Sequence, residues 1–225
     1  MKSVSLFILS LCIVLKVQAQ DPRWTNLPFY DDKALHYGFT LGINGSGFQN
    51  KVSKSYFSDT VTSVSPVYTP GFSLGFIVNM RLHDHFDLRL LPTVGFYSRS
   101  IQYDFIKTSE IQTIESTFVE FPLLLKYKSQ RRNNSRLYVT GGFKASIEAG
   151  AKKKQRKSTD LRTNGFDLCL DMGVGMDIYC PLFKFSPEIR YSHGLLNLLN
   201  NDPNVYSSSL SRLSSNTISL FFNFE

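Results

Sequence analysis

The chain has 225 residues, of which 25 are Lys or Arg and 18 are Asp or Glu, with 42% hydrophobic and 14% aromatic residues. About 205 residues remain once an N-terminal leader is set aside, which fits one domain. The net charge of +7 would suit nucleic acid, but a leader that sends the chain out of the cytoplasm argues against that partner.

The leader is residues 1–19. Lys2 supplies a positive start, Val4 to Leu15 is an uncharged apolar run, and Val17-Gln18-Ala19 offers a small-residue cleavage site. A lipoprotein would instead use Cys12, but Ser10-Leu11 stand where small residues are needed. No later window approaches 18 consecutive apolar residues, so no membrane helix follows. Processing leaves 23 basic and 18 acidic residues, and a basic surface then fits lipopolysaccharide or another protein. Residues 20–34 read as a periplasmic N-terminal segment and 35–225 as one β-barrel.

Eight stretches alternate apolar and polar residues in chain order: 35–44, 72–81, 86–97, 117–127, 137–148, 166–178, 183–191 and 217–224. The sixth is the clearest. Phe166, Leu168, Leu170, Met172, Val174, Met176 and Ile178 share one parity, and Asp167, Cys169, Asp171, Gly173, Gly175 and Asp177 the other. Side chains alternate faces along a strand, so one face is dry and one is acidic and glycine-rich. Thirteen residues exceed the roughly 9–11 that a tilted strand needs to cross a bilayer. Eight is an even number, as bacterial single-chain barrels have. The predicted fold is all-β, an eight-stranded antiparallel up-and-down transmembrane β-barrel with a side-chain-filled lumen. Its soluble rival, a β-sandwich or lipocalin-like barrel, would put the apolar parity inside.

The predicted connections alternate in length. Segments 46–70, 104–113, 150–163 and 194–212 read as long outer loops. The joints near 83–84, 129–134 and 180–181 read as short periplasmic turns. Pro92, Pro122 and Pro187 fall inside predicted strands, where each removes a ladder hydrogen bond, so bulges, bends or shifted strand ends are expected there. Cys169 and Cys180 would lie about 35 Å apart on one extended strand, so both read as free thiols.

The polar parity carries Asp87, Glu120, Glu148, Asp167, Asp171, Asp177 and Glu188 against Arg81, Arg89, Lys126, Lys144, Lys184 and Arg190. An eight-stranded barrel holds side chains and little else, and buried charges are tolerated when paired. These residues are therefore expected to form a luminal ionic network and not a conducting pore. The rival is a proton or ion path through the carboxylates. No cofactor, metal or small-molecule substrate is indicated. His83-Asp84-His85 sits in a tight turn without a third ligand, and 42–47 is glycine-rich with no helix following it. Ser192 and His193 are adjacent, which on a strand sends them to opposite faces, so no hydrolase triad is expected. Lys152, Lys153, Lys154, Arg156 and Lys157 fall in an outer loop, either solvated or in contact with lipid phosphates or an acidic partner.

These segments, taken in order, resemble the PorT family, small outer-membrane barrels of the Bacteroidetes type IX secretion system. Asn26-Leu27-Pro28, Asp32-Lys33, His36 and Gly38-Phe39-Thr40-Leu41-Gly42 are similar to the family's approach to its first strand. Pro70 to Phe76 followed by Phe86-Asp87-Leu88-Arg89 resembles its second hairpin, and Glu120 to Ser129 its fourth strand. Asn133-Asn134, Gly141-Gly142, Pro187-Glu188, Tyr191-Ser192, Gly194-Leu195, Ser215-Asn216 and the ending Phe222-Asn223-Phe224-Glu225 follow in the family's order. The resemblance implies a non-enzymatic part in exporting cargo across the outer membrane, with other secretion components as partners. In gliding relatives the same system delivers motility adhesins. It also implies that the prolines and the terminal glutamate are family features. The alternative is a structural or adhesive barrel outside secretion.

Overall fold

A computed structural model describes residues 25–52, 61–105, 109–149, 165–199 and 210–225. A single 3-10 turn, Tyr30–Asp32, precedes ten strand segments. They are β1 (Leu35–Val52), β2 (Val61–Val67), β3 (Thr69–Arg81), β4 (Phe86–Leu90), β5 (Thr93–Phe105), β6 (Ser109–Lys128), β7 (Ser135–Glu148), β8 (Phe166–Tyr179), β9 (Lys184–Gly194) and β10 (Leu210–Phe224). β2 and β3 are separated only by Tyr68, and β4 and β5 only by Leu91-Pro92, so the ten segments make eight staves. Every stave pairs antiparallel with its sequence neighbours. β10 returns to β1 from Phe224↔Phe39 to Arg212↔Lys51, which closes the barrel.

Burial separates the two readings of the parity. The apolar parity faces outward: Phe76 is 70% exposed, Leu137 61% and Ile43 60%. The polar parity faces inward, with Arg89, Lys126, Asp171 and Asp177 fully buried. A soluble sandwich would have the reverse. An outward apolar band over a polar lumen is the arrangement of an outer-membrane barrel.

The prolines interrupt the ladder without shifting its register. Val78↔Leu90 and Gly75↔Thr93 keep one alignment across the Leu91-Pro92 gap. Pro122 lies across the same gap, where its carbonyl accepts the Leu91 N–H at 3.1 Å. The N–H and C=O of a strand residue point the same way, so the donor Pro122 lacks would have met the interrupted stave. Ile77, Leu91 and Leu124 line the lumen at this level as a small apolar cluster. At Pro187 the β8–β9 pairs stop at Gly175↔Glu188 and resume at Ile178↔Phe185.

Three of the expected outer loops are shorter than predicted. β1 runs on to Val52, β2 fills 61–67, β5 and β6 leave only 106–108 between them, and β10 begins at Leu210. The sequence pattern fades there because strands that outrun the roughly 25 Å apolar band need no dry face. The expected loop 150–163 lies outside the described residues.

Candidate functional site

The lumen is the candidate site, and it is built in tiers from the end with short turns. At the base, Lys126 Nζ on β6 donates to both Asp177 oxygens on β8, at 2.8 and 2.9 Å. Arg136 Nε and Ser186 Oγ donate to the same carboxylate at 2.9 and 2.7 Å. Arg89 on β4 crosses the lumen to Glu225 at 2.6 Å and Glu188 at 3.6 Å, and Lys184 also reaches Glu225, at 2.9 Å. Asp87 takes Lys128 at 2.5 Å and Asn79 at 3.0 Å. The two Arg89 bonds reach across the barrel and the others join neighbouring or next-but-one staves, so charged side chains fill the cross-section.

The middle tier centres on Glu188, which accepts from Arg190 at 2.7 and 2.8 Å, Tyr138 at 3.0 Å and Thr140 at 3.2 Å. In the outer tier Glu120 meets Lys144 at 3.2 Å and Tyr97 at 2.9 Å. Asp167 accepts from Ser215 Oγ and the Cys169 thiol. Asp171 is fully buried, and among the described residues neither of its oxygens has a hydrogen-bond partner. Glu148 accepts from Ser116 Oγ at 2.9 Å. Arg99 lies among the rings of Phe48, Tyr97 and Phe118, 5.1–5.5 Å from their centroids.

Residues 26–32 close the base. The Asn26 amide donates to Asn134 Oδ1 at 2.8 Å, and its side chain donates to the Tyr179 carbonyl at 2.9 Å. The Arg131 guanidinium donates to the carbonyls of Asn26 and Leu27. Leu27 has φ 50°, a left-handed conformation that costs a non-glycine residue about 1–3 kcal/mol and persists only where surroundings hold it. Tyr30 stacks on His36 with centroids 4.3 Å apart, under the Lys184 ammonium. Burial, with Glu225 nearby, pushes the Tyr30 hydroxyl well above the usual phenol range. Asp31 accepts from Arg136 at 2.9 Å and from Tyr179 at 3.0 Å.

Of the thirteen luminal residues the sequence nominates, Glu148 is only partly buried and Arg81 stands apart. It is half-exposed at the base rim, bonded to the Asp31 carbonyl at 2.7 Å and to Asp84 at 2.5 Å. Its guanidinium holds the Asp84 carboxyl below the usual range, chiefly through that hydrogen bond. Asp31, Lys128, Arg136, Glu225, Arg99 and the luminal tyrosines were missed. Lys128, Arg136 and Glu225 continue the polar parity by one step past the predicted strand ends, so carrying the parity to the turns finds them. Asp31 precedes the first strand and has no such signal.

Ser192 Oγ contacts Lys144 in the lumen while His193 Nδ1 meets Asn216, so the two side chains diverge. His83 and His85 flank a surface turn, and no group of three His, Cys, Asp or Glu residues suited to a metal occurs among the described residues. Cys169 and Cys180 are both free thiols. Residues 152–157 lie outside the described residues.

A closed eight-stranded wall, dry outside and ion-paired within, defines a transmembrane β-barrel. A family model for the outer membrane protein beta-barrel domain matches residues 18–200. The chain belongs to that family and resides in the outer membrane. No curated protein matches it. Among solved structures it is similar to the outer membrane protein OprG from Pseudomonas aeruginosa, with 12% identity over 83% of this chain and 93% of that one and a TM-score of 0.44. Neisserial surface protein A is 11% identical over 85% and 98%, with a TM-score of 0.45. The attachment invasion locus protein Ail of Yersinia pestis is 12% identical over 85% and 98%, with a TM-score of 0.35.

Proposed function

We propose that this barrel is a non-enzymatic accessory or assembly factor of type IX secretion. One observation carries the reading. The lumen is crossed at its base by Arg89–Glu225 and Arg89–Glu188 and capped by residues 26–32, so work on a protein cargo must be done at the barrel's surface. The motif order shared with the PorT family, from Asn26-Leu27-Pro28 to Phe222-Asn223-Phe224-Glu225, supplies the process. On this reading residues 1–19 are a signal peptide, and the short turns with segment 20–34 form a periplasmic platform for other secretion components. The ionic network keeps that platform rigid. Deleting the gene should trap cargo proteins in the periplasm; normal surface display of cargo would end this reading.

The basic run Lys152 to Lys157 favours a second reading, a structural or adhesive barrel that contacts lipopolysaccharide or another acidic surface. It requires intact secretion with altered attachment or envelope integrity when those charges are removed. Orientation has a separate check. A cysteine placed at Lys153 should label in intact cells, whereas protection there with labelling at Asn133 would invert the barrel.

A further inference from the structure

The lipid-facing wall is not uniform. A row of aliphatic residues crosses four staves in register: Leu41 pairs with Leu74, Leu74 with Val94, and Val94 with Val119. Aromatic rings stand two residues away on either side. Phe39, Phe76 and Phe121 form the bank nearer the base. Phe96, backed by Phe72 with ring centroids 4.7 Å apart, forms the other. Pro92, in the strand gap between Phe76 and Phe121, leaves the lower bank without a large side chain at its centre. The result is a trough of about 640 Å³, within the size range of ligand pockets. Leu41 meets Phe222 at one end, and Val119 meets Ile147 at the other.

We propose that this trough is a binding site for one acyl chain of a membrane lipid. Its lining is apolar; Thr40 and Thr93 reach it, but their side chains are buried on the luminal side. The banks lie four residues apart along each strand, about 13 Å between backbones. With phenyl rings projecting from both banks, a helix about 10–12 Å wide does not fit between them, but a single hydrocarbon chain does. The surrounding face is already in contact with the hydrocarbon of the membrane, so the ligand needs no separate route.

The test uses the full chain, recovered from phosphatidylethanolamine–phosphatidylglycerol vesicles into mild detergent and weighed by native mass spectrometry. Wild type should retain one phospholipid. V94F/V119F, which fills the trough from its floor, should lower that retention about tenfold. V174F, on the opposite wall, should leave it unchanged. The heat-dependent gel shift of a folded barrel checks that each variant folds. Absence of the adduct from wild type, or equal retention in V94F/V119F, overturns the proposal. So does a dimer mass that V94F/V119F abolishes, because the occupant would then be a second copy.

Discussion

Asp171 and Asp177 lie six residues apart on the inward face of β8, and both are fully buried. Asp177 accepts hydrogen bonds from Lys126, Arg136 and Ser186. Among the described residues Asp171 accepts none, although Lys144 and Arg190 are within electrostatic reach. One strand thus carries a carboxylate that ties three other staves to its own and another that only balances charge. Burial alone does not tell which charge holds a fold; the donors around it do.

Removing Asp177 should have the largest effect. D177A leaves two cations buried together and should destabilise the barrel by about 3–5 kcal/mol, read by urea unfolding in detergent micelles. A loss under about 1 kcal/mol would erase the contrast with Asp171. Next is D31A, which strips Arg136 and Tyr179 of a shared acceptor. It should cost about 1–3 kcal/mol and raise amide exchange across residues 26–33 while the strands stay protected. D171N should cost less than about 1 kcal/mol, because no hydrogen bond is lost. A larger loss would mean that its charge, set against Lys144 and Arg190, holds the fold without a hydrogen bond.

The smallest effect is at the rim. Arg81 depresses the Asp84 carboxyl, so the pair stabilises the fold above the ordinary Asp value near 3.9. That contribution is lost as pH falls through the depressed value. An NMR titration should show Asp84 ionising below its ordinary range, and R81Q should return it there.

The eight staves were legible because lipid on one side and packed charge on the other enforce a period of two. Where either constraint lapses, so did the reading. Segment 61–67 is a strand that looked like a loop, since nothing beyond the membrane band demands a dry face. The proline at 92 was legible as a disturbance, but its solution, a gap shared with Pro122 in unbroken register, needed both partners in view. Most of the luminal acids and bases followed from parity. Which acid meets which base did not, because cross-lumen pairs such as Arg89–Glu225 join residues 136 apart. Asp31 was invisible because no periodicity governs a 3-10 turn.

The cap formed by residues 26–32 also carries a record of time. Asn26 docks on Asn134 and Tyr179, Asp31 on Arg136 and Tyr179, and Tyr30 against Glu225 at the chain's last position. Its berth does not exist until the turn at 129–134, the end of β8 and the end of β10 have come together. The earliest described residues are therefore seated last. A seated cap marks a finished barrel, and a partner that touches it could tell complete barrels from incomplete ones.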